Sequence, residues 1–294
     1  MNYQAYLIAA HDQFDLLLKL LKAIDYEYND IFIHIDIKSK EYDEEKIRNA
    51  VKKSNVFFIA RRSVSWGGFS QIQLTYDLLD MACKTKKYSY VHYISGKDFP
   101  LKSSEYIYNF FEQNKGTEYV SFDNPVYEDA KYTDRIKYYW LFQEASGKNF
   151  NILDYILVKI QKLFRVNRVK DINFNLQKGS NWFSITGDLA EYVLSKKQLV
   201  DKYFKYSKCA DEFIIQTIVE NSEFKNNVYA GGIDDGNLRM INWSRGVKGK
   251  PYIWKKEDKD MLLSTHHLWA RKFDTNVDYE IINILIKRIK ASND

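Results

Sequence analysis

Two adjacent carboxylates, Asp211 and Glu212, stand at the head of a segment whose later residues are mostly apolar. Acidic residues favour the first turn of a helix because the helix dipole is positive there. The pair therefore predicts a helix start. It is also chemically able to do more, because a carboxylate within hydrogen-bond reach of a nucleophile can act as its general base.

Basic residues occupy a second segment, 266–274, in which Arg271 and Lys272 stand between Trp269 and Phe273. An adjacent Arg and Lys could grip a diphosphate, since fixed cations stabilise phosphate charge. The plainer alternative is a solvated basic edge whose two aromatic side chains belong to the core. The sequence pattern leaves both interpretations open.

Two earlier segments could contact a nucleotide. Asp36 and Lys38 follow the apolar run IFIHI, and an Asp at a strand end can accept from a base or a ribose hydroxyl. The run Trp66-Gly67-Gly68 precedes a helical pattern, so its glycines allow a close backbone approach while Trp66 can stack on a ring. The plainer alternative for Asp36 is a helix cap or a surface Asp, and taken alone it is the better explanation. For the second segment the alternative is a tight loop with a core Trp, which explains it equally well.

Several classes of site are excluded by what the sequence lacks. It contains no GxGxxG, GxxxxGK[ST], HExxH, GxSxG or CxxC motif. Its single Asp-x-Asp, 258–260, lies in a polar segment near the C-terminus, and the five histidines lack metal-ligand spacing. We therefore expect no divalent metal and no other cofactor. Cys83 and Cys209 form no disulfide framework, which favours a reducing compartment.

Composition narrows the possible partners. The chain has 294 residues, of which 16% are aromatic, and its net charge is +5. That charge is too modest for a dedicated nucleic-acid binder and fits anionic small molecules or an anionic membrane surface better. We expect neither a signal peptide nor a transmembrane helix, so that any membrane contact would be peripheral.

The elements that must position these residues alternate between strand and helix. Apolar runs predict strands at 3–10, 31–36, 56–59, 90–94, 119–122, 182–185 and 238–242. A helix is predicted after Asp12, its N-cap, from the helical spacing of Leu16, Leu17, Leu20, Leu21 and Ile24. Further helices are predicted at 44–53, 69–82, 103–111, 152–164, 188–194, 212–219 and 278–290. The alternation predicts an α/β domain with a mostly parallel central sheet and a ligand site at the carboxyl ends of its strands. We expect a single domain over 1–294, with a helical insertion at about 125–178.

Eight segments, in this order, resemble the core-2/I-branching β-1,6-N-acetylglucosaminyltransferase family, which also contains peptide O-xylosyltransferases, and in particular its bacterial members. They are AYLIAAHDQFDLLLKLLKAI, IFIHIDIKS, WGGFSQIQLTYDLL, YVHYISGKDFPLKS, GSNWFSIT, DEFIIQTIV, RMINW and HHLWARKFD. The resemblance implies a fold of the GT-A glycosyltransferase type and an inverting, metal-independent transfer from a UDP-sugar.

The resemblance also implies roles for single residues. It places the catalytic base on Glu212 and leaves Asp211 to cap or orient the helix start. The residues matched to nucleotide or diphosphate contacts are Ala9, Ala10, His11, Asp36, Ile37, Lys38, Trp66, Lys250 and Lys272. Further substrate contacts are expected at Arg135, Trp182, Asp211, Trp243 and Arg271. Ala210 departs from the family, whose animal members usually have Pro before the Asp-Glu pair.

The activity implied is transfer of N-acetylglucosamine from UDP-GlcNAc to a sugar hydroxyl of a glycan or lipid-linked glycan. The setting expected is bacterial surface polysaccharide synthesis, in the cytoplasm or peripherally at the inner face of the membrane. Transfer of xylose or another UDP-sugar is the alternative within the class. A catalytically inactive carbohydrate- or nucleotide-binding protein is the alternative outside it.

Overall fold

The chain was analysed as a computed structural model that describes residues 2–123, 130–247 and 249–291. Its strands are β1 (Gln4–Ala10), β2 (Asn29–Ile35), β3 (Asn55–Phe58), β4 (Tyr90–Ser95), β5 (Asp98–Pro100), β6 (Tyr119–Phe122), β7 (Gly179–Thr186), β8 (Arg239–Ile241) and β9 (Trp269–Arg271). Its helices are α1 (Phe14–Ile24), α2 (Glu44–Arg48), α3 (Phe69–Thr85), α4 (Ser104–Gln113), α5 (Ala130–Lys137), α6 (Gln143–Ser146), α7 (Ile152–Leu163), α8 (Gly187–Ser195), α9 (Lys197–Phe204), α10 (Ile214–Glu220), α11 (Gly232–Asp235), α12 (Lys259–Ser264) and α13 (Glu280–Ala291).

Six strands form the central sheet, in the order β3-β2-β1-β4-β7-β6. The first four are parallel to one another, whereas β7 runs antiparallel to both of its neighbours. The predicted α/β class with a mostly parallel sheet is therefore confirmed, and β7 is the exception. Because β7 runs the other way, its first residues lie at the edge where the parallel strands end.

The central strands are buried on both faces, as expected for parallel strands covered by helices. Every residue of β2 and of β4 is buried, and β1 has one partly exposed residue, Ala9. One apolar core, which includes α1 and α13, lies on one face, and a second, which includes α3 and α8, lies on the other. This burial explains why the strands read as continuous apolar runs in the sequence.

A second sheet of three short strands, in the order β5-β9-β8, carries the C-terminal basic segment. Arg239 on β8 joins it to the central sheet. The Arg239 guanidinium is fully buried over the ring of Trp269 and donates to the carbonyl oxygens of Phe183 and Tyr93, at 2.7 and 3.3 Å. Burial lowers the pKa of Arg239 to about 9.

The predicted cap of α1 is wrong. The helix begins at Phe14 after Gln13, which has a left-handed backbone and makes no capping hydrogen bond. Asp12 instead accepts from the Lys97 ammonium at 2.5 Å and lies 3.4 Å from His11. The Asp12 carboxylate, which could have capped the helix, thus forms an ion pair with Lys97 on the β4–β5 turn.

The expected insertion contains α5, α6 and α7, and its first residues, 125–129, lie outside the described residues. α5 and α6 contact the edge of the central sheet described below. Among the described residues, no helix is both long and apolar enough to span a bilayer.

Candidate active site

Side chains that can do chemistry follow the strand ends at one edge of the central sheet. His11 follows β1 and Asp36 follows β2, while Asp123 follows β6. Lys178 precedes β7, which starts at this edge. Strand ends of an α/β sheet are where ligands meet the protein, so this edge is the candidate active site.

Glu212 lies between two cations at this edge. Its Oε2 accepts from Arg135 Nη1 of α5 at 2.8 Å and lies 3.6 Å from Lys178 Nζ. Lys178 also forms an ion pair with Asp123. The carboxylate is about a third exposed, so a hydroxyl group can reach it from solvent. A general base must lie within hydrogen-bond reach of the hydroxyl that it activates, and the exposed part of Glu212 gives that access.

The predicted helix-capping role of Asp211 is wrong. Residues Ala210–Glu212 form a 3-10 turn whose N-cap is Cys209, and α10 starts at Ile214. Asp211 is turned inward, where its Oδ2 accepts from Asn181 Nδ2 at 3.2 Å and Gln71 Nε2 at 3.5 Å. Burial, and then the adjacent charge of Glu212, raises the pKa of Asp211. The two carboxylates therefore differ in environment, since the Oδ1 atom of Asp211 is buried while Glu212 is about a third exposed.

Lys272, which follows β9, lies among other cations. Its pKa is lowered to about 8, first by burial and then by the nearby Lys97, Arg271 and Lys148, against an opposing effect of Asp12. The same two lysines, Lys97 and Lys148, act on His11, whose pKa is lowered mainly by loss of solvent contact. Cations this close repel one another, so the group is suited to an anion that would neutralise them.

Arg271, next to Lys272, is held by hydrogen bonds to two side chains of the protein. Its guanidinium donates to Asp98 Oδ1 at 2.8 Å and to Ser95 Oγ at 2.5 Å. It also lies 4.2 Å from the ring of Trp182, which stacks on Tyr93. The structure thus brings Arg271 and Trp182 into contact. Trp269 and Phe273, the aromatic residues that flank Arg271 and Lys272 in the sequence, are fully buried in the core.

The Trp66-Gly67-Gly68 loop contacts the chain beside Glu212. The Gly67 carbonyl accepts from the Cys209 amide at 2.8 Å, next to the 3-10 turn that carries Glu212. Gly67 has a φ of +70°, and a Cβ there would lie 2.8 Å from Cys209 Sγ, so the loop requires glycine at this position. The Trp66 carbonyl accepts from Gln143 Nε2 of α6 at 3.0 Å, and the Trp66 side chain is 46% exposed.

The first nucleotide-contact segments lie at the ends of β1 and β2. Asp36 is buried, and its two carboxylate oxygens accept from the backbone amides of Lys38 and Val64, at 2.8 and 3.1 Å. Asp36 thus fixes the loop that presents Ile37, which is 56% exposed. At the end of β1, Ala10 is buried and Ala9 is partly exposed.

Two expected contacts, Lys250 and Trp243, are exposed side chains. Lys250 is exposed in a turn closed by its amide and the Val247 carbonyl, and Trp243 is 59% exposed in the loop after β8. The Tyr252 carbonyl accepts from the Lys272 amide, so the chain that follows Lys250 is beside Lys272.

Three lysines of the site were not predicted from the sequence. Lys97 and Lys148 belong to the cations around Lys272, and Lys178 contacts the carboxylate of Glu212. Each stands alone in a turn or loop, without a periodic pattern around it. The only signal was proximity to a matched segment, because Lys97 lies inside YVHYISGKDFPLKS and Lys178 directly precedes GSNWFSIT.

Among the described residues, two histidines and one aspartate form a cluster whose donor atoms are close enough to hold a metal ion. Donor atoms of Asp235, His266 and His267 lie within 4.8 Å of one another, although the sequence spacing did not suggest a site. The Nε2 atoms of the two histidines lie 3.2 and 2.7 Å from the Asp235 carboxylate. His266 and His267 precede β9 whereas Lys272 follows it, so this group lies at the other end of that strand. The Asp-x-Asp at 258–260 is structural, because Asp258 accepts from Arg245 at 2.7 Å.

Comparison with known proteins gives the family. The model of the core-2/I-branching enzyme family matches residues 4–262. The chain belongs to this family. The matched range includes β1 to β8 and Glu212, and it ends before Arg271 and Lys272.

Curated relatives of this core-2/I-branching chain are named glycosyltransferases. Xylosyltransferase 2 of Rattus norvegicus is 25% identical over 307 residues, which cover 96% of this chain and 33% of that protein. The chain thus spans about a third of the length of that xylosyltransferase. The β-1,3-galactosyl-O-glycosyl-glycoprotein β-1,6-N-acetylglucosaminyltransferase of Homo sapiens is 24% identical, with 97% of this chain and 69% of that protein covered. Among solved structures, mouse xyloside xylosyltransferase 1 in its apo form covers 92% of this chain and 97% of its own, with a TM-score of 0.42 and 12% identity.

Proposed function

We propose that this chain is an inverting glycosyltransferase that moves a sugar from a UDP-sugar to a hydroxyl group of a glycan, without a divalent metal. One observation carries the proposal. The cations around Lys272 and the partly exposed carboxylate of Glu212 are linked by a row of contacts, because Arg271 lies 4.2 Å from the Trp182 ring and the neighbouring Asn181 donates to Asp211. The first suits a leaving diphosphate and the second suits an attacking hydroxyl.

The reaction follows from this arrangement. Glu212 takes the proton of the acceptor hydroxyl as its oxygen attacks the anomeric carbon, from the side opposite the nucleotide. The bond from the anomeric carbon to the diphosphate oxygen breaks, through a transition state with oxocarbenium character. The electron pair of that bond goes to the diphosphate, where Lys272, Lys97 and Lys148 stabilise the growing negative charge. Fixed charges act more strongly in a site poor in water than in bulk solvent.

N-acetylglucosamine is the donor sugar we propose first, because one relative is named a β-1,6-N-acetylglucosaminyltransferase and is covered over 69% of its length. Xylose is the second candidate, since other relatives are named xylosyltransferases. A screen for UDP release, with a series of UDP-sugars and simple acceptors, separates the two. A protein that only binds carbohydrate or nucleotide would bind UDP-sugars and release no UDP from any of them.

For the biological setting we propose synthesis of a bacterial surface polysaccharide, with a glycan or lipid-linked glycan as acceptor. Arg135 supports an acceptor on the side of the insertion, because it lies on α5 and pairs with Glu212. A sugar bound there would have its hydroxyl next to the carboxylate. No nucleic acid partner is proposed, since the net charge is only +5.

Metal removal gives a direct prediction. The carboxylates at the site edge are already engaged, with Asp36 held by backbone amides and Asp98 and Asp123 held by Arg271 and Lys178. We therefore expect EDTA to leave UDP release nearly unchanged. Assays in EDTA and in excess Mn²⁺ measure this. Complete loss of activity in EDTA, restored by Mn²⁺, would contradict the metal-independent mechanism.

The depressed pKa of Lys272 gives a second prediction. At pH 8.5 the ammonium is partly deprotonated, since its pKa is about 8. A bound diphosphate raises that pKa, so UDP binding should take up protons at pH 8.5 and fewer at pH 7, where the ammonium is already mostly protonated. The phosphate groups of UDP contribute little to this proton uptake at pH 8.5, because groups with a second pKa near 6 are already ionised.

Calorimetric titration with UDP, in two buffers of different ionisation enthalpy, measures this proton uptake. The Lys272→Arg variant is the control, because a guanidinium stays charged across this range and should show no such uptake. Equal uptake by the wild type and the variant would show that another group titrates.

A further inference from the structure

The α7 helix exposes apolar residues along one face. The members of this face, which we call the α7 apolar surface, are Ile152, Leu153, Ile156, Ile160, Leu163 and Phe164. Leu163 and Phe164 are 78% and 74% exposed. Phe150, just before the helix, is 71% exposed and extends the surface. Soluble monomers rarely expose contiguous apolar patches of this kind, and larger ones mark interaction sites.

The opposite face of α7 packs against the rest of the protein. Val158 packs in a small cluster with Tyr138 and Trp140, and the buried Asp154 accepts from the Phe142 amide at 3.0 Å. Positions 152, 156, 160 and 163 follow helical spacing on the side away from Val158. The α7 apolar surface is therefore not the core face of a helix but a second apolar face, directed to solvent.

The charge around this face is strongly positive. Residues 148–170 contain six basic side chains and one carboxylate, Asp154, which is buried. The formal charge of this segment equals the net charge of the whole chain, +5, so the remainder of the chain is neutral overall. Lys159, Arg165 and Lys170 are exposed, with Lys159 beside the apolar stripe and Arg165 after its last residue.

The apolar face and its basic margins favour an anionic bilayer, rather than a second copy of the chain, as the partner of the α7 apolar surface. A second copy of the chain would bring two equally cationic segments together, which like-charge repulsion opposes. A bilayer with anionic headgroups offers acyl chains to the apolar face and negative charge to its basic margins, as interfacial amphipathic helices require. The twelve residues of α7 give a contact about 18 Å long.

We propose that the α7 apolar surface docks this protein on an anionic lipid bilayer, with Lys159 and Arg165 contacting the headgroups. The docked surface adjoins the candidate active site, since Lys208 lies 3.4 Å from Tyr155 of α7 and its amide donates to the carbonyl of Arg135, the partner of Glu212. An acceptor carried by a membrane lipid would then be presented to Glu212 at the membrane face. Only this last step rests on the proposed function.

The experiment is sedimentation with vesicles of phosphatidylcholine alone or mixed with phosphatidylglycerol. We expect binding to the anionic vesicles, weakened by salt because surface charges are screened. Leu163→Ser with Phe164→Ser should reduce partitioning at least tenfold, since both side chains lose apolar area that the bilayer would cover. Lys159→Glu with Arg165→Glu should reduce binding to anionic vesicles by a similar factor. The matched control is Met261→Ser with Val277→Ser, which removes exposed apolar side chains from a different part of the chain.

Two outcomes would overturn the proposal. One is anionic-vesicle binding that is absent or indifferent to the Leu163 and Phe164 substitutions. The other is a dimer of the wild type that these substitutions dissociate, which would assign the surface to a second copy. UDP release with a water-soluble acceptor should be unchanged in the Leu163 and Phe164 variant. If the wild type releases no UDP but still binds vesicles, the proposed function fails and the docking surface stands.

Discussion

Glu212→Gln is expected to lower turnover by on the order of 10²-fold or more while leaving UDP affinity unchanged. Glutamine preserves the shape of the side chain and an oxygen that Arg135 can still contact, but its amide cannot accept the proton of the acceptor hydroxyl. Steady-state UDP release measures the first quantity and calorimetric UDP titration the second. The matched control is Glu223→Gln, the same change at an exposed glutamate beyond α10, which should keep wild-type turnover.

Asp211 provides the competing assignment, because its buried carboxylate has a raised pKa and lies next to Glu212 in the chain. Asp211→Asn should disturb the contacts to Asn181 and Gln71, and thereby lower the thermal stability. If Asp211 were the base, Asp211→Asn would abolish turnover and Glu212→Gln would keep it. Wild-type turnover in Glu212→Gln would therefore contradict the assignment of the base.

Lys272→Ala is expected to reduce turnover by about one to two decades, which corresponds to roughly 1.5–3 kcal/mol for a lost charge-assisted contact. UDP affinity should fall by less, since the charge on the diphosphate grows as the glycosidic bond of the donor breaks. The melting temperature should not fall, because below pH 8 the substitution removes a cation whose charge is disfavoured by burial and by Lys97. Thermal unfolding at pH 7 measures this last point.

Two other lysines serve as controls for Lys272. Lys259→Ala removes an exposed charge from α12 and should leave kinetics unchanged. Lys250→Ala tests the second diphosphate contact implied by family resemblance, and we expect a smaller effect because Lys250 is exposed. A larger effect for Lys250 than for Lys272 would reverse the two assignments. No effect of Lys272→Ala on either affinity or turnover would remove it from the diphosphate site.

The central sheet could be predicted from sequence because its strands are buried on both faces. Residues such as Ile31 to Ile35 form an apolar run too continuous to be anything but core. The second sheet was only partly predictable. β5 and β9 have three residues each, too few for a period to show, and their pairing depends on contacts across more than 160 residues. Sequence periodicity carries no information on such pairing.

The residues of the candidate site were likewise only partly predictable from the sequence. Glu212 and Lys272 stand in segments with recognisable patterns, whereas Lys97, Lys148 and Lys178 are isolated lysines whose role depends on where the loops fold. Asp12 shows the limit of local rules, since a residue of the right type in the right place for an N-cap pairs with Lys97 instead. An ion pair formed across the fold outweighed a local capping preference.

Arg239 has a consequence for how substrates enter and leave. Its guanidinium connects the sheet that leads to Lys272 with the strands β4 and β7, which border the Glu212 side. The two parts of the candidate site are thus a single rigid frame, and hinge motion of one sheet against the other would break buried hydrogen bonds. In the reaction that we propose, this frame would hold donor and acceptor in alignment, and nucleotide exchange would need movement of segments outside it.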